Sequence, residues 1–177
     1  ALAEPSGDLQ GLVPALTGLA LTVAADDPAA ATALVDRALA SGASLARTQA
    51  LLAAGWVALR RGELDASCGY ATAAADAARK RRDRAGIAEA LELRAGCEVD
   101  PGERVGLLEE SEALWFALGC PIPLARTRIA LARARAFGTD RTQAAIGLAE
   151  TERVCRELGA RALAAEAAAV RAELASL

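Results

Sequence analysis

The phrase Ala38-Leu39-Ala40-Ser41-Gly42-Ala43 returns three more times along this chain in altered form. It returns as Ala78-Arg79-Lys80-Arg81-Arg82-Asp83, as Phe116-Ala117-Leu118-Gly119-Cys120 and as Arg156-Glu157-Leu158-Gly159-Ala160. With Gly42, Arg82, Gly119 and Gly159 taken as equivalent, the steps are 40, 37 and 40 residues. Each phrase closes a stretch of helical apolar spacing, and another stretch rich in Ala, Leu and Arg follows. A period of this size with two helices per repeat is that of an α-solenoid, in which helix pairs stack into a continuous core. The expected fold is all-α: a right-handed α-solenoid of about four helix pairs plus a terminal helix. It would form a single helical-repeat domain over residues 1–177.

Composition points the same way. The hydrophobic fraction is 54%, yet aromatics are only 3%, so small and aliphatic residues fill the core positions. Ala has the best helix propensity, and few β-branched or aromatic residues remain to build strands. A net charge of −3 argues against a nucleic-acid surface, which needs concentrated positive charge. The four cysteines, Cys68, Cys97, Cys120 and Cys155, are scattered, and the chain has no His. Zinc sites need clustered Cys or His ligands, so no metal and no cofactor is expected. Free, mostly buried thiols in a reducing cytoplasm are the expectation. The run 11–25 is apolar, but acidic Glu4 and Asp8 precede it and it is too short to span a bilayer, so it reads as a buried first helix starting near Pro14. Met is absent even at the start, as in an excised or processed piece of a longer protein.

The breaks divide the chain into pairs. Pair one is 9–25 and 29–41, with Asp27 as N-cap ahead of Pro28. Pair two is 45–61 and 64–82, turning at Gly62-Glu63. Pair three is 84–99 and 102–118, broken by Asp100-Pro101-Gly102. Pair four is 124–137 and 141–158, broken by Gly138-Thr139-Asp140, with Pro121 and Pro123 before it. A last helix covers 161–174.

The 34 residues from Thr48 to Arg81 have the length of one tetratricopeptide repeat. Gly55 and Ala74 fall at that repeat's small positions, and Gly62-Glu63-Leu64-Asp65 resembles its inter-helix turn. Leu51, Ala58, Ser67 and Arg79 replace its usual Trp, Tyr, Ala and Pro. Farther on, 153–161 followed by 162–174 resembles the end of the helical region in large ATP-binding LuxR-type (MalT-like) regulators. Ala113-Leu114-Trp115-Phe116-Ala117-Leu118-Gly119 is similar to that family's repeated phrase. The resemblance implies a non-catalytic helical-repeat sensor or interaction region of a bacterial transcriptional regulator. It would be cytoplasmic, binding a protein, a peptide or a small effector, and able to form a homodimer. It implies no membrane and no direct nucleic-acid contact by this region. A freestanding tetratricopeptide-like adaptor is the alternative. No Gly-x-x-x-x-Gly-Lys-Ser/Thr phosphate loop occurs in the chain.

In tetratricopeptide arrays the first helix of each pair lines a concave face. The candidate binding residues are therefore Gln49, Leu52, Trp56 and Arg60 in pair two. Glu89, Glu92 and Gly96 are their counterparts in pair three, and Arg126, Ile129 and Arg133 in pair four. Trp56 would be an aromatic platform or a core residue. Trp115 and Phe116 are expected to pack between neighbouring repeats. The run Arg79-Lys80-Arg81-Arg82-Asp83-Arg84 reads as cations at a helix C-terminus, opposing the macrodipole. Without His the usual proton shuttle at neutral pH is missing, and no catalytic residues are expected. Gly55, inside a helix, is expected at a close helix–helix approach.

Overall fold

A computed structural model describes residues 9–42, 46–136 and 141–176, which form helices and connecting turns with no strand among them. The expected positions Leu45 and Phe137, and the turn at residues 138–140, lie outside the described residues. The chain divides into two compact units, Ala1–Cys97 and Glu98–Leu177.

The first unit holds α1 (Leu9–Val23), α2 (Pro28–Ala40), α3 (Arg47–Arg60), α4 (Leu64–Arg81) and α5 (Arg84–Cys97). Helix α1 packs on α2, and α3 packs on both. Helix α4 lies against α3, and α5 lies against α4 and α3. Helix starts follow local chemistry. Asp27 Oδ1 accepts a hydrogen bond from the Ala30 N–H at 2.9 Å with Pro28 as first helical residue, as expected. Helix α1 begins at Leu9, where the pair boundary put it, and runs through Pro14 rather than starting there. Pro removes one intrahelical donor there.

Helices α3 and α5 are buried on most of their circumference, and the packing between them is close. A Cβ added at Gly55 on α3 would lie 2.2 Å from Leu93 Cδ2 on α5 and 3.2 Å from Tyr70 Cβ. One added at Gly86 on α5 would lie 2.8 Å from Thr48 Cγ2, and one at Gly96 would lie 2.6 Å from Leu59 Cδ2. The three partnerships Thr48/Gly86, Gly55/Leu93 and Leu59/Gly96 rise together along both helices. The two helices therefore run parallel, 37 or 38 residues apart in sequence at each contact. Gly55 is thus at the close approach its mid-helix position implied.

The second unit holds α6 (Pro101–Leu118), α7 (Pro121–Arg135), α8 (Arg141–Glu157) and α9 (Arg161–Ser176). Helix α7 packs on α6, α8 and α9, and α8 packs on α9. Helix α6 begins a residue earlier than the turn suggested, because Pro101 takes the first helical position and Asp100 caps the Glu103 N–H at 2.8 Å. Helix α7 likewise starts at Pro121 rather than Leu124. A first-turn proline lacks only an N–H that would be unpaired in any case. The core gathers Ile129, Ala132, Leu148, Ala167, Val170 and Leu174. Trp115 is buried, but Phe116 is 71% exposed, against the expectation that both pack inward. Adjacent helical residues point about 100° apart, so one aromatic faces the core and the next faces water.

Among the described residues, five have positive φ: Gly42, Gly62, Arg82, Gly119 and Gly159. Four of them are the residues aligned in the recurring phrase, each just beyond a helix C-terminus. Left-handed backbone there closes the last turn and suits glycine. Arg82, at φ 56°, adopts it with a side chain in place. An L-residue bears about 1 kcal/mol or more in that conformation. Arg82→Gly is therefore expected to stabilise the chain by about 0.5–1 kcal/mol. A thermal melt should rise by about 1–4 °C, and a fall would mean that the Arg82 side chain makes a compensating contact. The preceding cations, Arg79, Lys80 and Arg81, occupy the last turn of α4 and are exposed, as a dipole-offsetting role requires.

Candidate functional site

The first unit contains a cleft of about 280 Å³ between α1, α3 and the start of α5. Thr17, Gly18 and Leu21 supply one wall, and Thr48, Gln49, Leu52 and Ala53 supply the floor. Asp83, Ala85, Gly86 and Glu89 complete it. Residues four apart on one helix share a face, which brings Thr17 beside Leu21 and Thr48 beside Leu52. Asp83 Oδ1 accepts the Gly86 N–H at 2.9 Å, fixing the first turn of α5 at the cleft's edge. The Thr17 hydroxyl donates to Val13 O at 3.0 Å. The Thr48 hydroxyl has no hydrogen-bond partner, although the residue is only 6% exposed. An unmade buried hydrogen bond costs about 1–3 kcal/mol.

Of the eight positions singled out for binding, Gln49, Leu52 and Glu89 come together in this cleft. Gln49 is exposed, Glu89 half-buried and Leu52 buried. Trp56 is half-buried and packs on the cluster of Leu51, Leu52, Ala71, Ala74, Ala90 and Leu93. Arg60 is exposed and reaches back to α1, donating from Nη1 to Leu21 O at 2.7 Å. It thereby meets an orphan carbonyl of a helix C-terminus. Glu92 is 6% exposed rather than open. The reason is that α5 buries Ala88, Ala90, Leu91, Leu93 and Ala95 as well, so the helix has no broad open stripe. Gly96 is a packing position against Leu59.

The second unit has a cleft of about 310 Å³ lined by Glu112 of α6, Arg128, Leu131, Ala132 and Arg135 of α7, and residues of α8 that include Leu148 and Glu150. Its charges are paired. Arg128 Nε donates to Glu112 Oε1 at 2.8 Å, and Arg135 pairs with Glu109. A hydrogen bond from Arg153 holds the Glu150 carboxyl below the usual carboxylate range, and Arg128 adds to the effect. Arg126 and Arg133, the expected residues of α7, do not line this cleft. They lie two positions from Arg128 and Arg135, about 200° around the helix. Both are exposed, and Arg133 Nη1 donates to Glu166 Oε1 at 2.7 Å. Ile129 is core, 2% exposed.

Sequence reasoning missed Thr17, Thr48, Asp83 and Gly86. The signal for the last two was local: an Asp three residues before a Gly at a helix start is a capping pair. Thr17 gave no signal, because a threonine inside an apolar run reads as core, and Thr48, between Arg47 and Gln49, reads as part of a polar helix start. Among the described residues no group of three or more His, Cys, Asp or Glu could hold a metal ion. No described helix is long and apolar enough to cross a membrane. Compared with known proteins, the chain matches no protein-family model and no curated protein at significant similarity.

Proposed function

We propose that this chain is a non-catalytic interaction or sensor region built as a right-handed solenoid of tetratricopeptide-like helix pairs. It would serve a bacterial transcriptional regulator of the LuxR type by binding a protein, a peptide or a small effector. The observation that carries the reading is the cleft of the first unit, which is bounded by α1, α3 and α5, the first helices of three successive pairs. The parallel run of α3 and α5 at a 37–38-residue offset supports the repeat. So do the left-handed residues that close the recurring phrase. Within this reading Gln49 and Glu89 orient a ligand against the apolar side chains of Leu21, Leu52 and Ala53. Polar groups at such a rim select the partner, and apolar contact supplies affinity.

Two experiments test it. Binders selected from a displayed peptide library on the folded chain should lose about tenfold in affinity, near 1.4 kcal/mol, with Glu89→Arg. Circular dichroism should stay unchanged. Binders indifferent to both Glu89→Arg and Gln49→Ala would remove the cleft from consideration. The reading frame beyond Leu177 separates regulator from adaptor: a helix-turn-helix encoded there supports the first, and a stop codon favours the second.

A further inference from the structure

The cysteines are not mostly buried. Only Cys155 is, while Cys97 and Cys120 are half-buried and Cys68 is exposed. Two of them meet. Cys68 stands in the second turn of α4 and Cys97 is the last residue of α5, and these two helices pack against each other. The Cys97 thiol donates to Leu93 O at 3.2 Å and lies 3.5 Å from Ser67 Oγ, next in sequence to Cys68. The Cys68 thiol stands near enough to push the Cys97 thiol up as well.

We propose that Cys68 and Cys97 form a modification site for hydroperoxides, at which oxidation closes a disulfide between α4 and α5. The two thiols differ in the way such a reaction needs. Cys68 is open to a small oxidant from solvent, whereas burial pushes the Cys97 thiol up and keeps it protonated and slow to react by itself. The Cys68 thiolate attacks one peroxide oxygen, the O–O bond breaks, and Cys68 becomes a sulfenic acid while the other oxygen leaves as water after taking a proton. Cys97 then gives its proton to solvent and attacks the Cys68 sulfur. The S–O bond breaks, and the departing hydroxide is protonated to a second water. The paired sulfurs lose two electrons in all and the peroxide oxygens gain them. Thioredoxin-type dithiol chemistry would reverse the bond.

The test uses the whole chain treated with hydrogen peroxide and digested with trypsin. The expected product joins peptides 62–79 and 95–104, with a mass about 2 Da below their sum, and dithiothreitol separates them. The linked chain remains monomeric, and Cys155 stays a free thiol. Cys97→Ser should stop the reaction at a Cys68 sulfenic acid that dimedone captures. Cys68→Ser changes an exposed residue, and should abolish the link and leave Cys97 unreacted. The proposal is overturned if peroxide carries Cys68 of the folded chain to sulfinic acid with Cys97 still a thiol. It is equally overturned if Cys68 couples between two molecules, or if Cys68→Ser leaves the 95–104 peptide oxidised.

Discussion

Gly55→Leu is expected to cost about 3 kcal/mol, at the upper end of what overpacking a core does. The new Cβ alone would sit 2.2 Å from Leu93 Cδ2, and Leu93 is fully buried, so its side chain has nowhere to swing. Tyr70 Cβ, 3.2 Å away, blocks relief on the α4 side. Helix propensity works in the opposite direction, because leaving glycine gains up to about 1 kcal/mol in a helix interior. The steric term wins because the three further carbons of leucine have no cavity to enter. A melting temperature lower by about 6–12 °C is expected. Gly69→Ala on α4 is the matched control. Nothing lies within 4 Å of its added Cβ, so only propensity acts, and the chain should gain about 0.5–1 kcal/mol. If both variants melt together with the parent, α3 and α5 are not in contact at Gly55.

Replacing Arg156 and Arg171 together by leucine is expected to cost about 3–5 kcal/mol, the penalty for stranding a buried charge. Glu152 on α8 is the charge concerned. Its side chain is 5% exposed, whereas the side chains of Arg156 and Arg171 are 68% and 46% exposed. Arg171 Nη2 on α9 meets Glu152 Oε2 at 2.9 Å, and Arg156 meets the other oxygen from one turn along α8. The asymmetry of burial makes a directional forecast. Glu152→Leu leaves two arginines that reach solvent and should cost no more than about 1 kcal/mol, because exposed cations need no partner. Chemical denaturation of the three proteins checks this. A Glu152→Leu loss as large as the double-arginine loss would show that the carboxylate contributes by attraction rather than by needing to be neutralised.

The helices were legible in the sequence because their ends are written in residues with one dominant physical meaning. Asp27 before Pro28, and the glycines at 42, 119 and 159, can hardly be read otherwise. Arg82 was recoverable only by its place in the recurring phrase, since arginine has no preference for left-handed backbone. The close approach at Gly55 was readable for a similar reason: a mid-helix glycine is unfavourable unless something needs the room. Side-chain exposure was much less legible. The expected site stripes assumed helices with one wet face, but α3 buries Leu51, Leu52, Ala53, Ala54, Val57 and Ala58 in a near-continuous run. In an alanine-rich chain, apolar periodicity blurs, because alanine is acceptable on either face. Leu52 and Glu92 were therefore placed on an open surface that the packing closes. Arg126 and Arg133 were chosen over Arg128 and Arg135 because nothing in their sequence context distinguishes two arginine pairs on opposite sides of α7.

The parallel seam of α3 and α5 also sets where this chain can change length. Its three contacts alternate between the helices, with glycine on α3 once and on α5 twice, so they act like the teeth of a ruler. An extra residue inserted between Gly86 and Leu93 would, with Gly86 held on Thr48, carry Leu93 off Gly55 and turn Gly96 about 100° away from Leu59. An extra residue in the exposed turn at 61–63 would leave every tooth in place. Length variation among natural versions of this chain should therefore collect in that turn and spare both helices. A set of single-alanine insertions scanned from 58 to 97, scored by yield of folded protein, would draw the boundary residue by residue.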